Sequence, residues 1–289
     1  MPHARRLAAI GTLAILAVLA GAVAAEPARP DPAGEALALE FIDSALAEGR
    51  LADADELLAR ARLRGDSPEL QLRRAELLAA AGRTEDAANA LEPLAGVAGI
   101  GPRARTARAL IDLRAGRLDQ AEAGLRAVIA IDPAQPRAWN ALGVLADRRR
   151  DWPAAEDAYA RALALAPARA DILNNRGWSR LLQGRHAEAE ADLVAALAAA
   201  PGLTSAQTNL RLARALQGRY AEAFAGASRE TLARDLNTVG FGALARGDLA
   251  MAETYFARAI EANDRHDRTA EANLAYLAAL RAQAQPPRP

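Results

Sequence analysis

The chain has 289 residues, with 36 basic groups balancing 36 acidic ones. It contains no cysteine, which excludes disulfides, thiolate metal sites and thiol nucleophiles, and its neutral balance offers no basic face for nucleic acid. The three histidines, His3, His186 and His266, are far apart and none has a second good ligand at helical spacing, so neither a metal site nor a cofactor is expected.

In chain order, "MPHARR" is a basic start and "LAAIGTLAILAVLAGAVAA" an uncharged, mostly apolar run ending in small residues. That is the layout of an export signal over residues 1–25, cleaved after Ala24 or Ala25. The run from Leu7 to Ala25 is also just long enough to remain as an anchor helix. The small-residue end and the following "EPARPDPAG" favour cleavage. Either way the remainder is expected beyond the cytoplasmic membrane, in the periplasm of a Gram-negative bacterium. Leu19-Ala20-Gly21 is followed by Ala22 and not cysteine, so no lipid can be attached there. Residues 26–34 read as a Pro-rich linker.

From there one phrase recurs: "GRLADA" at Gly49, "GRTEDA" at Gly82, "GRLDQA" at Gly116, "GRHAEA" at Gly184, "GRYAEA" at Gly218 and "GDLAMA" at Gly247, with Arg150 filling the gap. A period near 34 with a turn glycine near its middle predicts helix–turn–helix units. With this glycine as position 15, position 20 is Ala54, Ala87, Ala121, Ala155, Ala189, Ala223 and Ala252. Position 8 is small in Ala75, Ala109, Gly143, Gly177 and Gly240, with Ile42 and Arg211 as departures. Position 24 is large and apolar in all but Ala227. Glycine ends the first helix in the left-handed conformation, the arginine after it faces that helix's negative end, and the alanine lets the second helix cross closely. One such pair cannot bury its own apolar face, so the units must stack.

These positions, and "WNALGVLADRRRDWPAAEDAYARALALAP" from Trp139 to Pro167 above all, resemble the tetratricopeptide repeat (TPR). The resemblance implies an all-α, right-handed superhelical solenoid over 35–281. Its units are expected at about 35–67, 68–101, 102–135, 136–169, 170–203, 204–232 and 233–266, with a capping helix at 267–281 and a disordered tail at 282–289. The short sixth unit, carrying Arg211 and Ala227, is expected to be the least tightly packed joint and to change the curvature. Trp139 falls at a core position of the repeat.

No catalytic constellation stands out, and an enzyme is not expected. Glu188, Glu190 and Asp192, like Asp53, Asp55 and Glu56, read as solvated helix faces paired with arginine at helical spacing. The TPR resemblance implies that first helices line a concave groove. The candidate groove residues are Arg137, Asn140, Asn174, Asn175, Trp178, Asn209, Asn237 and Phe241. The asparagines either hydrogen-bond the backbone of an extended peptide or bind only water. Trp178 either anchors a partner or packs against the neighbouring first helix. The last third, "DLNTVGFGALARGDLAMAETYFARAIEANDRHDRTAEANLAYLAALRA", resembles the end of the TadD-type TPR component of tight-adherence (Flp) pilus assembly. That resemblance implies an interaction scaffold whose partners are pilus or secretion components. An adaptor for a cell-division, outer-membrane or polysaccharide-export complex, or a spacer with no groove ligand, fits the same residues.

Overall fold

A computed structural model describes residues 32–262 and 268–284. The expected export signal, the linker up to residue 31 and the end of the tail lie outside them. The described residues form fifteen α-helices and one short 3-10 turn, with no strand. Seven antiparallel pairs follow one another. They are α1 (Pro32–Ala47) with α2 (Leu51–Arg62), α3 (Pro68–Ala80) with α4 (Thr84–Leu91), and α5 (Gly101–Arg114) with α6 (Leu118–Ile131). Next come α7 (Pro136–Arg149) with α8 (Trp152–Leu165), α9 (Ala170–Leu182) with α10 (His186–Ala199), and α11 (Thr204–Leu216) with α12 (Tyr220–Phe224). Last are α13 (Leu232–Ala245) with α14 (Leu249–Glu261), and α15 (Arg268–Ala284), which packs on α13 and α14. The first helix thus starts at Pro32, inside the stretch read as linker, and α15 continues three residues into the stretch read as tail.

The recurring phrase is a helix stop followed at once by a helix start. The six turn glycines have φ between 72° and 82°, and Arg150 takes the same left-handed conformation at φ 58°. The next residue's backbone N–H closes the first helix, as in Arg50 to Ala45 O, Arg117 to Asp112 O and Arg185 to Arg180 O, at 2.8–2.9 Å. Its side chain mostly serves the second helix and not, as the sequence had suggested, the first helix's end; Arg117, on Asp112 of α5 at 2.7 Å, is an exception. Arg50 pairs with Asp53 at 2.6 Å, Arg83 with Asp86 at 2.7 Å and Arg185 with Glu188 at 2.5 Å, each in the first turn of the second helix. There a carboxylate also meets the positive end of the helix. Where the residue is Asp151 or Asp248, it caps the second helix directly, accepting from the N–H of Ala154 or Met251.

Across each pair, position 8 meets position 24. The seven position-20 alanines are fully buried. A β-carbon at Gly143 would come within 2.6 Å of the Tyr159 ring, one at Gly177 within 2.9 Å of Leu193 and one at Gly240 within 2.7 Å of Phe256. Those three partners are completely buried. Close-packed interiors tolerate no extra methyl at such a seam without displacement. Tyr159 is fastened at its far end, where its hydroxyl donates to Asp147 at 2.7 Å and Ser179 donates to the other carboxylate oxygen at 2.5 Å.

The sixth pair breaks this pattern. Helix α12 ends after five residues, so Ala227 lies beyond it and fills no seam. Arg211 closes the gap from the other side. Its guanidinium donates to the carbonyls of Ala223 and Ala225, each at 3.0 Å, and pairs with the buried Asp235 at 3.2 Å. Helix α13 then docks directly on α11, so closely that a β-carbon at Gly242 would overlap Ala215.

Ion pairs tie one unit to the next. Glu122, Glu156, Glu190 and Glu253 share position 21, and each reaches an arginine of the following first helix. The pairs are Arg149 at 2.5 Å, Arg180 at 2.6 Å, Arg214 at 2.9 Å and Arg281 at 2.7 Å. Asp192, 5% exposed, holds Arg176 and Arg180 at 2.7 and 2.9 Å. Glu190 and Asp192 are therefore not solvated faces: they are half-buried and buried links between helices. Burial pushes the Glu190 carboxyl up, and hydrogen bonds from Arg214 and Gln217 with the Arg219 charge more than offset it, so it stays below the usual range. Glu56 and Glu188 do pair locally, with Arg60 and Arg185.

Candidate functional site

First helices supply one continuous inner face. A single recess of about 790 Å³ touches α1, α3, α5, α7 and α9 as well as Leu203 before α11, so that face curves around it. Most of the charges lining this N-terminal basin are held in ion pairs. Arg73, 8% exposed, holds Asp43 and Glu69; Arg103 reaches Glu69 at 2.6 Å; Arg169 grips Asp171 at 2.6 Å. Arg137 belongs here, with its Nη1 on Glu76 at 2.7 Å. It lies in a different recess from Trp178, Asn209, Asn237 and Phe241 and is already paired.

The asparagines form a ladder between first helices. Asn175 donates to Asn140 at 3.1 Å, Asn209 donates to Asn174 at 3.0 Å, and Asn174 is linked to Asn175 at 3.4 Å. Position 6 of each later helix thus bonds position 5 of the helix before. Two parallel helices of a stack place those positions face to face, and a primary amide, with donors and an acceptor, can bond its own kind indefinitely. Asn237 is joined in the same way to Asn273 of α15 at 3.0 Å. Asn273 was not singled out in the sequence, though it stands 36 residues after Asn237 and so near the repeat period. Asn140, Asn174 and Asn175 are members of the ladder and line neither basin.

A second recess of about 930 Å³ lies on the C-terminal part of the same face, across α9, α11, α13 and α15. It brings together Trp178, Asn209, Asn237 and Phe241, with Leu212, Thr208 and Thr238 between them. Trp178 is 41% exposed and Phe241 51% exposed, and no hydrogen bond occupies the Trp178 indole N–H among the described residues. Large apolar rings left this open on an inner face are the kind of surface that anchors a partner. Trp139 behaves differently. It packs against the core of the fourth and fifth pairs, donates its indole N–H to Pro133 O at 2.9 Å, and carries the Arg161 guanidinium 4.9 Å above its ring. The basin's remaining polar lining, Arg229, Glu230 and Arg234, comes from the start of α13 and the loop before it. No period announces these residues, because the loop is where the sixth unit loses its second helix.

Residues 106–170 and 140–204 match the sequence profile of the tetratricopeptide repeat. No curated protein matches the chain in sequence. Among solved structures, the fold is similar to the Cut9–Hcn1 hetero-tetramer of the APC/C, with a TM-score of 0.62, 13% identity, and coverage of 86% of this chain and 50% of that one. The chain thus spans about half the length of that relative. A tetratricopeptide repeat protein from Parabacteroides merdae superposes with a TM-score of 0.50 and 16% identity, over 85% of this chain and 99% of that one. PilW, a type IV pilus biogenesis factor, gives a TM-score of 0.48 and 21% identity, over 64% of this chain and 92% of that one. The matched segments, together residues 106–204, are tetratricopeptide repeats, and the described residues stack as an all-α solenoid of that fold.

Proposed function

We propose that this chain is an exported, non-catalytic TPR scaffold that captures a segment of a partner protein on its inner face and assists assembly or localisation of a tight-adherence pilus secretion system. The observation that carries the binding reading is the C-terminal basin, where Trp178 and Phe241 stand open on the curved face beside Asn209 and Asn237. Burying two such rings supplies several kcal/mol, on the order of 25 cal/mol per Å² of apolar surface. The envelope reading is supported by the apolar N-terminal run, and the pilus reading by the resemblance of the chain's last third to TadD-type proteins. The spacer reading draws on a specific observation of its own: most of the inner-face asparagines are already bonded to one another.

Crosslinking in intact cells, followed by mass spectrometry, separates these readings. Secretin or prepilin-processing components captured by the wild-type chain and lost with Trp178→Ala plus Phe241→Ala are the expected result. Capture of division or export proteins alone would redirect the assignment to another envelope complex. Capture that is indifferent to the double variant would leave the spacer.

A further inference from the structure

The amide ladder has one missing rung. Between α7 and α9, α9 and α11, and α13 and α15, a position-6 asparagine donates to the position-5 asparagine of the helix before. Between α11 and α13 those two positions are Thr208 and Thr238. Thr238 donates back to Arg234 O of its own helix at 2.9 Å and makes no bond to Thr208. The rungs between helices also have a direction, because in each the later amide gives its N–H toward the chain's N-terminal side. The ladder therefore stops at the break with an acceptor, Oδ1 of Asn209, and resumes beyond it with a donor, Nδ2 of Asn237. Neither group has a partner among the described residues, and both residues line the basin flanked by Trp178 and Phe241.

One unfilled acceptor and one unfilled donor are what a single peptide group satisfies. The charges around them add a second preference. Among the described residues, Arg229 meets no carboxylate, and Arg234 has only Asp235 at 3.8 Å, which Arg211 already holds at 3.2 Å. Against these two arginines the described lining presents one acid, Glu230.

We propose that an extended segment of a partner protein completes the ladder at this break. One of its peptide groups donates N–H to Asn209 Oδ1 and accepts from Asn237 Nδ2. A large apolar side chain of the segment lies between Trp178 and Phe241, and an adjoining carboxylate meets Arg229 and Arg234. This rests on the groove reading above and narrows it to one subsite and one ligand chemistry.

The test is to fill the rung from within. In T208N/T238N the new amides repeat the pattern of α9 and α11, bonding each other and occupying both open groups, while the seams stay untouched. The probes are fluorescein-labelled synthetic twelve-residue peptides with one central Phe flanked by Asp, Ser or Arg, read by anisotropy on the full chain. The Asp-flanked probe is expected to bind tightest and the Arg-flanked one weakest. Affinity should fall at least tenfold in T208N/T238N, whose melting temperature should equal or exceed that of the wild type. N-methylation of the probe's central peptide nitrogens should weaken binding to the wild type to a similar degree, whatever the fate of the variant. Full affinity in T208N/T238N and for the methylated probe, with loss in W178A/F241A, would overturn the missing-rung proposal and leave the groove reading standing. No binding, or binding indifferent to both double variants, would overturn both. Self-association in sedimentation velocity that T208N/T238N abolishes would place a second copy in the break instead of a peptide.

Discussion

In the fifth pair, the seam between two helices is closed from the second helix, where Leu193 reaches over Gly177. In the sixth pair it is closed from the first helix, where Arg211 extends under the truncated α12 and takes its free carbonyls. One seam is apolar and the other charged, yet α11 still receives α13 at close contact. The repeat therefore constrains what the two positions supply together and not the residue type at each. A guanidinium can replace a large aliphatic side chain when helix-end carbonyls and a buried carboxylate, here Asp235, are present to satisfy it. The amide ladder is interrupted at the same joint, by Thr208 and Thr238, so the irregular unit carries the unusual seam and adjoins the open basin.

Removing the large partner from a regular seam should have the greatest effect. Phe256→Ala is expected to cost about 3–5 kcal/mol, whereas Ala227→Leu, at the equivalent position of the short unit, should stay within about 0.5 kcal/mol. Urea denaturation of the two variants measures the contrast, and comparable losses would mean that Ala227 does occupy a seam. Arg211→Ala comes next, at about 3 kcal/mol, because it takes the nearer cation from the buried Asp235 and leaves only Arg234 at 3.8 Å. Adding Asp235→Ala should recover part of that loss. A double variant as unstable as the sum of the singles would show that the pair is not coupled.

The smallest expected effect concerns a half-buried acid in a regular seam. Burial pushes the Asp147 carboxyl above its ordinary value, and hydrogen bonds from Ser179 and Tyr159 offset only part of that. The folded protein then holds this proton more tightly than the unfolded chain. The resulting stabilisation is present below the unfolded value and is lost as pH rises through the folded one. Asp147→Asn, which cannot ionise, should match the wild type at acid pH and become relatively more stable as pH rises, by less than about 1 kcal/mol. Parallel urea titrations from pH 4 to 7 test this, and a difference that shrinks with rising pH would reverse the assignment.

Much of the architecture was legible along the chain. Glycine every 34 residues or so marks a left-handed stop, and even Arg150, which lacks glycine's freedom, adopts that conformation because the stack on both sides requires it. The alanines at position 20 and the small residues at position 8 state which faces meet, since helical spacing alone assigns a residue to a face. The position-21 glutamates recur in four of the seven units, but their arginines lie in the next unit, and pairing across units depends on how one pair is rotated against the next. The asparagines were visible too, though not that they bond one another.

By itself, then, the sequence determined the helix pairs, their turns and the seam each pair closes, because these depend on local conformation and the 3.6-residue repeat of a helix. Only the tertiary structure decided that Arg211 substitutes for a missing helix, that Asn209 and Asn237 are left open, and that Arg137 lies in a different basin from Trp178. Those outcomes depend on how neighbouring units sit against one another, which the spacing of residues within one unit does not state.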